Sequence, residues 1–219
     1  EIVRVHGTAD ELAWSLGETG NVAFSLGEAD LARELFTESL AIARELGELT
    51  LLGLGEFGLA YVAFLDGDLP EMVSRLEASN RHLAEAEVPW GLGWTRFSLA
   101  VVAAMEERWD DAVPHVTASL EQRWQIRDTR GIAESLHLLS MVACNCGEPE
   151  WSARLHGAAQ LQRDATGLTI LPFLAPLHEA TLAQLRDHLG EERYEQLWQE
   201  GRSAPLDKIV AESLARATA

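Results

Sequence analysis

The sequence predicts an all-α fold of repeated helix pairs, a right-handed α–α superhelix with a helical cap. Three observations lead to this prediction. The dipeptide Val-Ala recurs every 40 residues, at positions 22, 62, 102 and 142. Small and apolar residues within each unit return at helical spacing, and no segment alternates as a strand would. The register holds over four units without an insertion, which is typical of a helical-repeat array.

Each 40-residue unit is predicted to contain a helix A, a tight turn and a helix B. In the first unit, Gly20 and Ala23 share one face of helix A, and Ala32, Phe36 and Ser39 share one face of helix B. We interpret the Val-Ala alanines as points of close helix approach and the valines as filling the seam between units. Turns such as SLGEAD and NCGEPE mark the helix ends. The predicted helices are 9–26, 29–46, 49–66, 70–86, 90–107, 109–127, 130–146 and 150–165.

The period ends after residue 166. A connector with two prolines, LTILPFLAPL at 168–177, precedes helices predicted near 176–189, 191–201 and 205–217. Because a stack of repeats needs its last apolar face covered, we interpret 1–166 as the repeat array and 167–219 as capping helices. The last two helices have a helix-turn-helix outline. However, residues 179–219 carry eight acidic and five basic residues, and a DNA-recognition helix needs a basic surface.

The composition of the chain argues against several classes of function, among them nucleic-acid binding, membrane insertion and nucleotide binding. The net charge of −18 disfavours binding to nucleic acid or to an anionic membrane. Two cysteines give no disulfide framework, and no apolar run reaches the roughly 20 residues of a membrane span, so we expect a cytoplasmic protein. The only lysine, Lys208, follows Asp207 instead of completing a Gly-Lys-Ser/Thr phosphate loop. We therefore expect no nucleotide cofactor on this chain.

Three short motifs contain residue types that occur in binding or catalytic sites. GLGEFG places Gly53, Gly55 and Gly58 in a Gly-x-Gly-x-x-Gly pattern, but a helical segment precedes it where a dinucleotide site needs a strand. Cys144-x-Cys146 lacks the remaining ligands of a zinc site, and His178-Glu179 lacks the second histidine of a metalloprotease. No nucleophile motif is present, so the sequence predicts a protein that is not an enzyme and holds no metal.

The pattern of small and aromatic residues, clearest in Gly20, Ala32, Phe36 and Ser39, resembles the tetratricopeptide repeat (TPR), whose usual period of about 34 is shorter. The segments ARLHGAAQLQRDATG and LGEERYEQLWQEGRSAPLDKIVAESLA resemble the C-terminal helical region of large bacterial LuxR-family and AfsR-like transcription regulators. In these proteins an ATPase domain precedes a TPR array. The resemblance implies a sensor or interaction module of a longer polypeptide, with that ATPase domain as a partner. A free-standing TPR adaptor or self-association scaffold is the alternative.

The side of helix A opposite the small residues is the candidate binding face. It is predicted to be concave and unusually aromatic. Three interpretations stay open: neighbouring A helices bury these side chains, the face binds an apolar helix, peptide or small inducer, or the 168–177 connector folds back onto it. The candidate residues are Trp14, Phe24, Phe57, Tyr61, Phe64, Trp94, Phe97 and His137.

Overall fold

The computed structural model describes residues 7–216, within which there are eleven α-helices, one short 3₁₀ helix and no strand. The predicted all-α fold of consecutive helix pairs is confirmed. The helices are α1 Ala9–Ser25, α2 Ala29–Leu46, α3 Leu49–Leu65, α4 Leu69–Glu85, α5 Pro89–Met105, α6 Trp109–Gln125, α7 Thr129–Asn145, α8 Pro149–Thr166, α9 Ala175–Leu189, α10 Glu191–Ser203 and α11 Leu206–Arg216, with the 3₁₀ turn at Pro172–Leu174. Pro114 lies inside α6, which continues through it.

The first eight helices begin 20 residues apart, because the turn that ends each one has the same backbone geometry. One residue in each turn has positive φ, between 54° and 82°, and the following amide donates to the carbonyl five residues before it. Glu28 N–H thus bonds Ala23 O and Glu148 N–H bonds Ala143 O, each at 2.9 Å. The left-handed residues are Gly27, Gly47, Gly67, Glu87, Glu107, Arg127, Gly147 and Gly167.

The Val-Ala pairs lie in the last turn of each A helix, just before these connecting turns. The alanines are buried and supply the carbonyls that close the turn after each A helix, as at Ala63 and Ala103. The valines of the later three pairs are buried too. Val22 is 59% exposed, so the expectation that every valine fills a seam is wrong for the first unit.

The A and B helices of a pair approach closely at the columns of small residues. Ser39 Oγ on α2 donates to Ala13 O on α1, and Ser79 Oγ on α4 donates to Gly53 O on α3, both at 2.7 Å. The recurring serine therefore bonds one helix of the pair to the backbone of the other. A long side chain at either partner position would separate the two helices.

Contacts between residues divide the chain into two compact units, the N-terminal unit (residues 1–95) and the C-terminal unit (residues 96–219). Within the C-terminal unit, α9 and α10 pack against α8, and α11 packs against α6 and α8. The predicted separation of a cap at residue 167 stays a prediction. No helix within residues 7–216 is both long and apolar enough to cross a bilayer.

Candidate functional site

In the N-terminal unit, α1 and α3 present four half-buried aromatic rings, which we call the aromatic strip: Phe24, Phe57, Tyr61 and Phe64. Tyr61 is its centre. The Tyr61 ring packs edge-to-face against Phe57, with centroids 4.9 Å apart, and against Phe24 at 5.5 Å. Such edge contacts hold large rings in fixed orientations while leaving part of each ring in solvent.

Two glycines of α3 face α2, so the large rings of α3 lie on a different side of the helix. A Cβ atom on Gly58 would overlap the Phe36 ring of α2, and one on Gly55 would lie 3.1 Å from Leu40 Cβ. The side of α3 that carries Gly55 and Gly58 therefore packs closely against α2, and the side that carries the aromatic rings does not. The Gly-x-Gly-x-x-Gly pattern lies within a continuous helix. A packing role therefore accounts for it, as its sequence context indicated.

Trp14 and Trp94 are the two most exposed of the candidate rings, at 47% and 41%. Trp14 lines an open pocket of about 450 Å³ at the start of α1 and α3. The carboxyl-bearing side chains of Asp10, Glu11 and Glu48 line the same pocket. An indole beside carboxylates suits a cationic group, which both would attract.

In the C-terminal unit the corresponding face is covered. Phe97 and His137 are each only 4% exposed. The connector segment 168–174 lies over both of them around a cavity of about 10 Å³, room for one water molecule at most. The structure thus separates the eight candidate residues. Phe24, Phe57 and Tyr61 form a cluster, whereas Phe97 and His137 lie beneath the connector, as the third sequence interpretation described.

His137 belongs to a buried group of three histidines from three helices, the other two being His156 and His178. His137 Nε2 on α7 and His178 Nδ1 on α9 share a hydrogen bond of 3.0 Å, and the His156 ring on α8 is 5.3 Å from that of His178. His156 Nδ1 and the Tyr194 hydroxyl on α10 share another bond of 2.8 Å. These bonds connect the tail helices to the last repeat through polar contacts inside an apolar core.

Burial favours the neutral form of all three imidazoles, and it lowers the pKa of His178 as well. Burial lowers the pKa of His137 well below its usual value, and the positive charge of Arg163 lowers it further. Burial and the neighbouring His178 lower the pKa of His156 to about 3. Burial raises the pKa of Tyr194 to about 12, so its hydroxyl keeps its proton and can donate to His156 Nδ1.

One buried arginine, Arg163, lines the connector cavity, and a second, Arg123, contacts the lining residues Phe97 and Glu134. Arg123 Nη1 donates to Gly131 O at 2.7 Å and meets the carboxylate of Glu134 at 3.2 Å, while its guanidinium lies over the Phe97 ring. Arg163 bonds Gln160 through Nη2, and its Nη1 is buried without a hydrogen-bond partner. Burial lowers the pKa of Arg163.

The thiols and histidines give no metal site among the described residues, in which no group of three His, Cys, Asp or Glu side chains is arranged around a common point. Cys144 is buried and Cys146 is exposed, and both are free thiols. Burial raises the pKa of each, and Asp110 and Glu148 raise that of Cys146 further. Neither thiol therefore has the lowered pKa of a reactive thiolate.

Sequence reasoning selected His137 but missed His156, Arg163, His178 and Tyr194. One signal was available, since His156 occupies the helix-B column that holds Phe36, Leu76 and Val116 in the other units. A polar residue in a buried apolar column requires a hydrogen-bond partner. The identity of that partner depends on how the tail folds, which the repeat pattern does not encode.

No protein-family model matches the chain, and no curated protein or solved structure matches it.

Proposed function

We propose that this chain is a non-catalytic binding module that takes a protein or peptide partner on the aromatic strip. The observation that carries the proposal is the edge-to-face arrangement of Phe24, Tyr61 and Phe57, each of which is partly exposed. A soluble domain seldom leaves several adjacent rings open unless they contact something. Because the rings are already oriented, their side chains lose little conformational entropy when a partner binds.

The chemistry of the strip favours an amphipathic helix with a basic end. Rings on α1 and α3 offer apolar area for residues at positions i, i+4 and i+7 of such a helix. Trp14 and the carboxylates around its pocket lie toward the start of α1, about 15 Å from Phe24 by helical rise. A lysine or arginine of the partner would enter that pocket while apolar residues cover the strip.

In the regulators that the sequence resembles, such a module would serve as the sensor arm. Binding of a partner or inducer would change how the array contacts an ATPase domain of the same polypeptide and so bias an on/off equilibrium. The resemblance in the tail segments 153–167 and 189–215 supports this assignment. A cytoplasmic location and a role in transcription regulation are part of the same proposal.

The test is a selection of helical peptides from a display library against the purified chain, followed by calorimetry of synthetic peptides. We expect selected peptides to carry an apolar stripe and a lysine or arginine at one end. The double variant Phe57→Ala/Tyr61→Ala removes two rings of the strip and should weaken binding roughly tenfold or more while preserving the helical fold. The matched control is Leu26→Ala/Leu46→Ala, which removes two exposed apolar side chains outside the strip.

Unchanged affinity of the folded double variant for every selected peptide contradicts the proposal. Sedimentation of the chain alone tests the adaptor or scaffold alternative. A dimer that dissociates in the Phe57→Ala/Tyr61→Ala variant, but not in the control, would assign the strip to self-association instead.

A further inference from the structure

The connector cavity is lined by a buried arginine, Arg163, whose Nη1 has no hydrogen-bond partner. Arg163 is 5% exposed, and among the described residues no carboxylate forms an ion pair with it. Asp164 is next in sequence, but its carboxylate pairs with Arg202 at 2.7 Å. An isolated buried guanidinium is costly, and buried charges in proteins are normally paired.

The other charged side chain of the cavity does not neutralise Arg163. Glu134 lines the same space, but its carboxylate pairs with Arg123 at 3.2 Å and with Arg130 at 3.6 Å. The local balance is therefore positive in a chain whose net charge is −18. Positive potential at one enclosed point of an acidic protein favours a bound anion over bulk cations.

The lining of the cavity has two chemical halves. Arg163, His137 and Thr169 supply polar groups, and Phe97, Ile170, Leu171 and Leu174 supply apolar ones. A small number of convergent polar groups in an apolar wall is the usual composition of a small-molecule site. In the tautomer in which His178 Nδ1–H donates to His137 Nε2, the Nδ1–H of His137 is a second donor.

We infer that this cavity is a site for a small apolar carboxylic acid, with the carboxylate on Arg163 Nη1 and the hydrocarbon part against Phe97. The site is separate from the aromatic strip and does not depend on partner binding there. Because the cavity admits no more than one water molecule, the ligand must displace the connector segment 168–171. The connector's own Ile170 and Leu171 occupy the apolar half until the ligand replaces them.

The experiment is calorimetry of the full chain with acetate, butanoate and hexanoate at constant ionic strength, against sodium chloride and neutral hexanamide. We expect affinity to rise with chain length, and hexanamide and chloride to show no saturable binding. Hydrogen exchange at 168–174 should rise when hexanoate is bound, since the ligand displaces that segment. Binding of chloride and acetate alone, with no gain from a longer chain, would indicate a bare anion site and overturn the assignment.

The variant Arg163→Gln should weaken hexanoate binding at least tenfold, because a hydrogen bond to a charged group is lost. The matched control Arg193→Gln removes an exposed arginine of the same unit, paired with Glu150, and should leave binding unchanged. If Arg163→Gln does not fold, Arg163→Met removes the same charge with an apolar side chain and should melt at an equal or higher temperature. Failure of the wild-type chain to bind any carboxylate overturns the inference.

Discussion

Equivalent positions of helix A are partly exposed in the N-terminal unit and buried in the C-terminal unit. In the N-terminal unit, Phe57 and Tyr61 remain partly exposed on α3. Forty and eighty residues later, the position of Phe57 is occupied by Phe97 and His137, and that of Tyr61 by Val101 and Met141. All four of these later residues are buried. In the C-terminal unit a connector and α9 lie over this face, and His137 bonds His178 there. An identical repeat register therefore yields an open surface in one unit and a core in the other.

The difference shows that burial of a repeat column depends on the tail as much as on the repeat. Large rings are retained where the face is open, and smaller or polar side chains occur where another layer packs on it. Ala104 and Cys144 stand where Phe24 and Phe64 stand in the earlier units, and Cys144 Sγ contacts Gln184 of α9 at 3.4 Å. Smaller side chains at these positions leave room for the additional layer.

The largest effect is expected where the tail docks. A Cβ on Gly201 of α10 would overlap the carbonyl oxygen of Arg154 on α8, so Gly201→Ala brings two backbones into collision. We expect the free energy of unfolding to fall by about 3 kcal/mol, the upper end for overpacking, since backbone atoms cannot rotate away. Urea titration measures the loss, and hydrogen exchange should rise in α9 and α10 and not in α3.

The control for Gly201→Ala is Gly17→Ala in α1, where the nearest atom to a new Cβ is Ser39 Oγ at 3.8 Å. That change should be neutral or stabilising by up to about 1 kcal/mol, because alanine is the better helix former. Equal destabilisation by both variants would show that the α8–α10 contact is not tight.

The covered unit should also lose stability in acid. His156 has a folded pKa of about 3 against 6.5 when unfolded, so its contribution is complete above pH 6.5 and is lost as the pH falls toward 3. Between pH 6.5 and 5 this amounts to about 2 kcal/mol. The charged or titratable groups near it are His137, His178, Tyr194, Arg163 and Arg186.

The pair of changes His156→Leu/Tyr194→Phe removes this titrating group together with its hydrogen-bond partner. Replacing both partners by apolar side chains should cost little at pH 7 and flatten the dependence of melting temperature on pH. Melting curves across this pH range make the comparison. A wild-type curve that is flat from pH 7 to 5 would contradict the assignment of a neutral buried imidazole.

A smaller effect is expected from overpacking in the open unit. A Cβ on Gly58 would overlap the buried Phe36 ring, a side chain and not backbone, so Gly58→Ala should cost less than Gly201→Ala, about 1–2 kcal/mol. Adding Phe36→Leu should restore part of the loss, since the smaller side chain makes room. A double-mutant cycle measures the coupling, and strictly additive effects would show that the two residues do not compete for space.

The smallest expected effect concerns the turns. Glu107 adopts φ of 57° where Gly147 stands one repeat later with φ of 82°. Glu107→Gly should raise the free energy of unfolding by about 0.5–1 kcal/mol, as relief of the left-handed strain exceeds the added entropy of the unfolded chain. Gly147→Ala should lower it by a similar amount. Urea denaturation midpoints of the two variants should therefore move in opposite directions.

The fold was largely predictable because its determinants are local. Helix bounds read from the repeat agree with the structure to within two residues for the first eight helices. The 20-residue spacing of the helices is visible in the turns. In each turn a residue with positive φ is followed by a backbone hydrogen bond such as that from Asp68 N–H to Ala63 O. The candidate face was only partly predictable. Phe57 and Tyr61 were correctly placed together, but the covering of Phe97 and His137 depends on where residues 168–174 pack.

The sequence by itself determined the helices, their pitch and the columns of small residues, because each follows from spacing within a few turns of chain. Only the tertiary structure decided which columns face solvent. It also brought His137, His156 and His178, from positions up to 41 residues apart, into one buried group. It left Arg163 Nη1 buried without a hydrogen-bond partner, which the sequence pattern does not reveal. These outcomes depend on the packing of the tail onto the last repeat, and that packing is set by complementary shape and polarity between distant segments.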